Sequence, residues 1–107
     1  MVSTLKKWQE KEFNEFIKAK KSGVIEFSAP WCGACKLIEP ILNEVAKDFP
    51  EISLAQIDVS SNPKLAAKMG VMSIPNILFF SKGKVADQSI GMTNKTVLEN
   101  KIKKILK

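Results

Sequence analysis

The chain has 107 residues, 45% of them hydrophobic and 26% charged, which is typical of one soluble domain spanning residues 1–107. No apolar run approaches the roughly 18 residues that cross a bilayer, and residues 1–12 lack the apolar core of a secretory signal, so we expect a cytoplasmic protein without a membrane partner. The net charge is +6, but arginine is absent and no aromatic residues alternate with the lysines, which argues against nucleic-acid binding.

The first half of the chain alternates between helical and strand patterns. Apolar residues at helical spacing predict helices over residues 10–20 and 32–49, the second with a kink at Pro40. Short β-prone runs predict strands over residues 24–29 and 52–59, and residues 2–5 could add a short edge strand.

The second half adds a hairpin between two helices. Asn62 and Pro63 are typical of an N-cap and a first helical position, and Gly70 of a helix end. Strands over residues 76–80 and 85–90 are joined by a turn, and Asn94 can cap a last helix. The strand–helix–strand unit favours parallel pairing and the hairpin adds antiparallel strands. We therefore predict an α/β fold with a mixed sheet flanked by helices on both faces.

Two cysteines, Cys32 and Cys35, stand three positions apart where a predicted strand gives way to a helix. This spacing on a helix separates the Cα atoms by roughly 5 Å, which suits both a disulfide and two free thiols. Free N–H groups and the helix dipole favour the thiolate at Cys32, whereas Cys35 lies one turn inside. We predict Cys32 as the exposed nucleophile and Cys35 as the covered, resolving thiol.

Three other uses of the cysteine pair remain open. A disulfide closing so short a loop would stabilise the fold by only about 2 kcal/mol. A zinc site prefers four ligands, and without histidine it would need two copies of the chain. Two inert buried cysteines would leave the flanking Pro30, Trp31 and Gly33 unexplained. The position between strand and helix favours redox chemistry, which requires no metal or other cofactor.

The segment Ala29-Pro30-Trp31-Cys32-Gly33-Ala34-Cys35-Lys36, followed by a helix containing Pro40, resembles the active-site segment of the thioredoxin family. Further matches cover essentially all of the chain: Phe27, Asp58, Asn62-Pro63, Gly70-Val71, Ile74-Pro75, Phe79-Phe80, Gly83 and Gly91.

The resemblance implies a thioredoxin-like fold and a monomeric thiol–disulfide oxidoreductase that reduces disulfides in client proteins. Electrons would come from a donor of the thioredoxin reductase type. A disulfide oxidase or isomerase is an alternative within the same chemistry, and a non-catalytic thioredoxin-like binding module is an alternative outside it.

The resemblance also implies roles for residues around the cysteines. Ile74-Pro75 matches a loop whose proline is cis, and the Ile74 backbone would pair with an extended client chain. Glu26 corresponds to a buried carboxylate, which burial would keep protonated to higher pH and which would exchange a proton with Cys35. The implied client surface consists of Trp31, Gly33, Ala34, Met72, Ile74, Pro75 and Gly91.

Four positions depart from the family pattern. Glu26 stands where aspartate is usual, which lengthens the side chain by one methylene. Gln56 stands where a lysine is often found, so we expect that lysine's electrostatic contribution to be missing. Ala34 replaces a proline and retains an N–H group that could favour the thiolate. Asn76 follows Pro75 where threonine is common.

Overall fold

The computed structural model describes residues 5–106, in which five strands form one mixed sheet. The strands are β1 (Lys6–Trp8), β2 (Gly23–Ser28), β3 (Ser53–Asp58), β4 (Asn76–Ser81) and β5 (Lys84–Ile90). They lie in the order β1-β3-β2-β4-β5, with β3 parallel to β1 and β2, and β4 antiparallel to β2 and β5. The predicted mixed sheet and its terminal hairpin are confirmed.

Helices cover both faces of this sheet. In the described part of the chain they are α1 (Glu10–Lys18), α2 (Gly33–Asp48), α3 (Pro63–Lys68) and α4 (Lys95–Ile105). Leu42 of α2 and Leu98 of α4 belong to one buried core, whereas Phe16 of α1 and Leu65 of α3 belong to a second core on the opposite face. The two-sided arrangement agrees with the prediction, and α2 runs through Pro40 as one helix.

The central strand β2 positions the cysteine pair and the carboxyl group of Glu26. All its residues are buried, because β3 and β4 flank it and helices cover both its faces. Side chains alternate along a strand, so Val24 faces the core beneath α2 and α4, whereas Ile25 and Phe27 face the other core. Glu26, two residues after Val24, therefore points to the α2 side of the sheet.

The edge strand lies later in the chain than predicted. It covers Lys6–Trp8 instead of residues 2–5, of which 2–4 lie outside the described residues. Adjacent lysines suit an exposed edge, since charged side chains there discourage pairing with another chain. They also interrupt the apolar alternation by which a strand is detected in a sequence.

The two predicted asparagine caps differ in their contacts. Asn94 Oδ1 accepts a hydrogen bond from the Val97 N–H at 3.0 Å, as expected of an N-cap. Asn62 also precedes its helix, but its side chain makes no capping bond to α3. Its Nδ2 group donates instead to the Asp58 carbonyl oxygen at 3.0 Å, so Asn62 ties the start of α3 to the end of β3.

Candidate active site

The two cysteines form a disulfide at the start of α2. Cys32 is the N-cap residue, and its Cα lies 5.3 Å from that of Cys35, in agreement with the separation predicted for helical spacing. The Cys35 N–H donates to Cys32 Sγ at 3.1 Å. Cys32 sulfur is therefore held at the positive end of the helix by a backbone donor, which stabilises a thiolate after reduction.

Cys32 is more covered than the sequence predicted, whereas Cys35 is covered as expected. Cys32, expected to be exposed, retains 9% of its accessible surface, and Cys35 retains 2%. Half-buried Val59 and Ile74 pack against the pair, together with Ala34 of the same helix turn. The predicted order of exposure holds, but little of Cys32 is accessible in this disulfide form.

The loop before β4 brings Ile74 to the cysteine pair, and Gly91, after β5, is hydrogen-bonded to that loop. The Ile74–Pro75 peptide bond is cis, as the family resemblance implied, and Ile74 contacts the cysteine cluster. The Gly91 N–H donates to the Pro75 carbonyl oxygen at 2.8 Å. Gly91 has φ +83°, a conformation that L residues with side chains rarely adopt. The hydrogen bond between Gly91 and Pro75 joins the end of β5 to the loop beside the disulfide.

Several apolar side chains near these residues in the chain are exposed. Trp31, directly before Cys32, is 71% exposed and so is not a core aromatic residue, and Met72 is 95% exposed. Gly33, the first residue of α2, is also exposed. Ile90 and Met92, which flank Gly91 and are 58% and 53% exposed, were not predicted from the sequence. Their positions next to Gly91 in the sequence could have indicated that they lie near the cysteine pair.

Glu26 is fully buried, as expected. Gln56 Nε2 donates to Glu26 Oε1 at 2.8 Å, whereas Glu26 Oε2 has no hydrogen-bond partner among residues 5–106. Burial raises the pKa of Glu26 from 4.5 to about 7, and the Glu39 carboxylate adds to this rise. The Gln56 hydrogen bond and the charge of Lys7 oppose it. The carboxyl group can consequently gain and lose a proton near neutral pH.

The expectation that no lysine acts electrostatically on this carboxyl group is wrong, because Lys7 lowers its pKa. Its Nζ group donates to Gln56 Oε1 from the neighbouring edge strand. A cavity of about 260 Å³ is lined by Lys7, Gln56, Glu39 and Cys35, among others. The buried carboxyl group is thus linked through one amide to the cavity that reaches Cys35. Lys7 was not predicted to lie here because β1 covers Lys6–Trp8 and not residues 2–5.

Neither a membrane-spanning helix nor a metal-binding cluster occurs within the described part of the chain. No helix within residues 5–106 combines the length and apolar character needed to cross a membrane. Within the same span, no three Cys, Asp or Glu side chains come together in a way that could hold a metal ion.

Comparison with known proteins identifies the family. Residues 4–104 match the family model described as thioredoxin. A chloroplastic M-type thioredoxin of Brassica napus is 42% identical over 91 residues, which are 84% of this chain but only 51% of that relative's length. A thioredoxin of Mycoplasmoides gallisepticum is 35% identical over 90% of this chain and 92% of its own. The structure of a Nicotiana alata thioredoxin is 29% identical with a TM-score of 0.86, covering 97% of this chain and 94% of that one.

The family match therefore coincides with the local geometry. A cysteine pair at disulfide distance occupies the start of a helix after the central strand, and a cis-proline loop packs beside it. The chain belongs to the thioredoxin family and is a thiol–disulfide oxidoreductase.

Proposed function

We propose that this protein is a disulfide reductase that passes electrons to other proteins, with Cys32 as the nucleophile and Cys35 as the resolving thiol. The observation that carries the proposal is the Cys35 N–H donating to Cys32 Sγ at the start of α2. A thiolate at Cys32 gains a backbone donor and the positive end of the helix. Cys35 is the more deeply covered thiol, which suits an intramolecular second step.

The reaction transfers two electrons in two exchanges. In the first, Cys32 thiolate attacks one sulfur of a client disulfide, the Cys32–client disulfide forms, and the other client sulfur leaves as a thiolate that takes a proton from water. In the second, Cys35 loses its proton and attacks Cys32 sulfur, which forms the Cys32–Cys35 disulfide and expels the second client thiolate. The client disulfide is reduced and the Cys32–Cys35 dithiol is oxidised.

Glu26 is the proposed acceptor of the proton of Cys35. With a pKa of about 7, roughly half of the Glu26 side chains are carboxylates at neutral pH and can accept this proton. The expelled client thiolate is then protonated from Glu26 or from solvent. Gln56, hydrogen-bonded to Glu26, lines the same cavity as Cys35, which supports a path between the two groups.

The client surface is proposed to surround Cys32. Ile74 would offer its backbone to an extended client segment, in the manner of strand addition, with Pro75 and Gly91 shaping the loop. Exposed Trp31 and Met72 would supply apolar contact. Gly33 and Ala34 complete the surface at the start of α2.

The wider setting of the protein is also proposed. A donor of the thioredoxin reductase type would re-reduce the disulfide, so that the protein acts in electron transport and in cell redox homeostasis. We propose that the chain works as a single-domain monomer in the cytoplasm. Its contacts would be with clients and the reductase, and not with nucleic acid or membranes.

The proposal predicts that the protein accelerates the reduction of insulin disulfides by dithiothreitol. The Cys32→Ser variant should reduce insulin no faster than dithiothreitol alone, because the remaining thiol lies inside the helix and is almost fully covered. Precipitation of the released insulin chain measures the rate, and circular dichroism shows that the variant is folded. Full activity of Cys32→Ser would disprove the assigned nucleophile.

A reductase should also have a redox potential below that of the cellular glutathione pool, roughly −220 to −260 mV. Equilibration of the purified protein in buffers of reduced and oxidised glutathione, followed by alkylation of free thiols, measures this potential. A value well above the glutathione range would identify an oxidase instead. The redox potential of the Ala34→Pro variant is measured alongside that of wild type, because Ala34 packs against the cysteine cluster.

A further inference from the structure

A row of polar side chains crosses three strands beneath α2. Lys7 of β1 is paired with Gln56 of β3, and Gln56 is paired with Glu26 of β2. Cross-strand partners point to the same face of a sheet, so the three side chains lie next to one another. The row begins at an exposed edge, where the Lys7 side chain is 60% accessible, and ends at a carboxyl group that is fully buried.

The hydrogen bonds along this row have one direction. Lys7 Nζ donates to Gln56 Oε1, and Gln56 Nε2 donates to Glu26 Oε1. An ammonium group has only donors, so it selects the amide oxygen of Gln56 and leaves the amide N–H₂ for Glu26. With the amide reversed, its oxygen would face Glu26 and accept a hydrogen bond from the protonated acid. The two orientations therefore favour opposite protonation states of Glu26.

Other charged groups lie on the elements around this row, and most of them have partners of their own or act on Glu26 by charge. On the elements packed against β2 they are Asp58 at the end of β3, Lys36 and Glu39 on α2, and Lys101 on α4 with its partner Asp87 on β5. Ser60 donates to Asp58, and Lys101 lies 3.0 Å from Asp87. Glu39 opposes ionisation of Glu26 by charge repulsion, and Lys7 Nζ lies 3.6 Å from Glu39 Oε1.

We propose that Lys7 is a positioning residue for Glu26: it holds the Gln56 amide with its N–H₂ group toward the carboxyl and offsets the charge of Glu39. Both effects favour the carboxylate form. This inference rests on the proposed function, in which the Glu26 carboxylate accepts the proton of Cys35. Lys7 thereby enlarges the fraction of molecules ready for the resolving step, although it touches neither sulfur nor client.

The test is a pH titration of the Glu26 carboxyl carbon by NMR in the oxidised, full-length protein. The Lys7→Met variant should raise the pKa of Glu26 by at least about 0.5 pH unit relative to wild type. Lys6→Met is the matched control, because it removes the same charge from the adjacent residue, which pairs with Ala55 and faces the opposite side of the sheet. It should leave the pKa of Glu26 within about 0.2 unit of wild type.

Two further variants test the need for a cationic donor and the orienting role. Lys7→Arg keeps a donor and a charge, and should restore the wild-type pKa of Glu26. In a Gln56→Leu background, Lys7→Met should shift the pKa of Glu26 by less than half as much, because no amide remains to be oriented. Equal shifts in Lys7→Met and Lys6→Met, or no shift in either, would overturn the proposal. An undiminished shift without Gln56 would overturn the orienting role.

The rate of mixed-disulfide resolution against pH distinguishes this inference from the proposed function. If Lys7 and Glu26 both act as proposed, the resolution rate of Lys7→Met should increase at a higher pH than that of wild type. The midpoint of this increase should shift by the same number of pH units as the pKa of Glu26. A shifted pKa with an unchanged rate profile supports Lys7 as the positioning residue and refutes Glu26 as the proton acceptor. An unshifted pKa refutes Lys7 whatever the activity.

Discussion

Cys35→Ser should convert a transient Cys32–client disulfide into a stable one. The variant keeps the attacking sulfur at the start of α2, but it has no second thiol to attack the mixed disulfide. Turnover of insulin should fall on the order of 100-fold or more, while one client molecule becomes bound to each protein. Mass spectrometry after acid quenching measures the mixed disulfide directly.

Cys32→Ser is the matched control for this experiment, since it also leaves one thiol in the chain. It should form little mixed disulfide, because Cys35 retains 2% of its surface against 9% for Cys32. The two serine variants have the same composition and differ only in which sulfur remains. Equal accumulation in both, or greater accumulation in Cys32→Ser, would reverse the assigned roles of the two cysteines.

Glu26→Gln should stabilise the protein above neutral pH by about 3 kcal/mol in free energy of unfolding. The folded-state pKa of Glu26 is raised from 4.5 to about 7 because its carboxyl is buried. Between these pH values the unfolded chain ionises first, so wild type loses stability as the pH rises through this window. Glutamine cannot ionise and avoids the loss.

The difference between Glu26→Gln and wild type should therefore be small at pH 4, open between about pH 4.5 and 7, and stay constant above pH 8. Urea unfolding of the oxidised proteins at pH 4 and pH 8 measures it. Glu51→Gln removes a carboxylate from an exposed loop and should reproduce the wild-type pH dependence. A Glu26→Gln advantage that is equal at both pH values would show that ionisation is not its cause.

Much of this fold could be predicted from local patterns. The order of helices and strands, the buried strand ahead of the cysteines and the spacing of Cys32 and Cys35 all depend on residues close together in the chain. The family resemblance added the cis bond before Pro75 and the burial of Glu26, which strand alternation alone did not determine because both faces of β2 are covered.

What could not be predicted depends on contacts between distant segments. Val59 and Ile74 pack against the cluster that contains Cys32 because the end of β3 and the loop before β4 meet at the start of α2. Lys7 reaches Gln56, 49 positions away, only because β1 pairs with β3. Two adjacent lysines on an exposed edge have no periodicity that points to a buried carboxyl group. The sheet order had to be known first.

Because β1 pairs with β3, the buried side chain of Leu5 influences which lysine lies beside Gln56. Leu5 is 4% exposed in the core beneath α2, and its N–H donates to Asn43 Oδ1 at 2.9 Å. Sliding β1 by one residue would bring Lys6 to Gln56, but it would also turn Leu5 away from that core, at a cost of roughly 1.5–3 kcal/mol. Leu5 thus contributes to the register that places Lys7, and not Lys6, beside Gln56. We expect a shorter side chain at position 5 to weaken the register that places Lys7 beside Gln56.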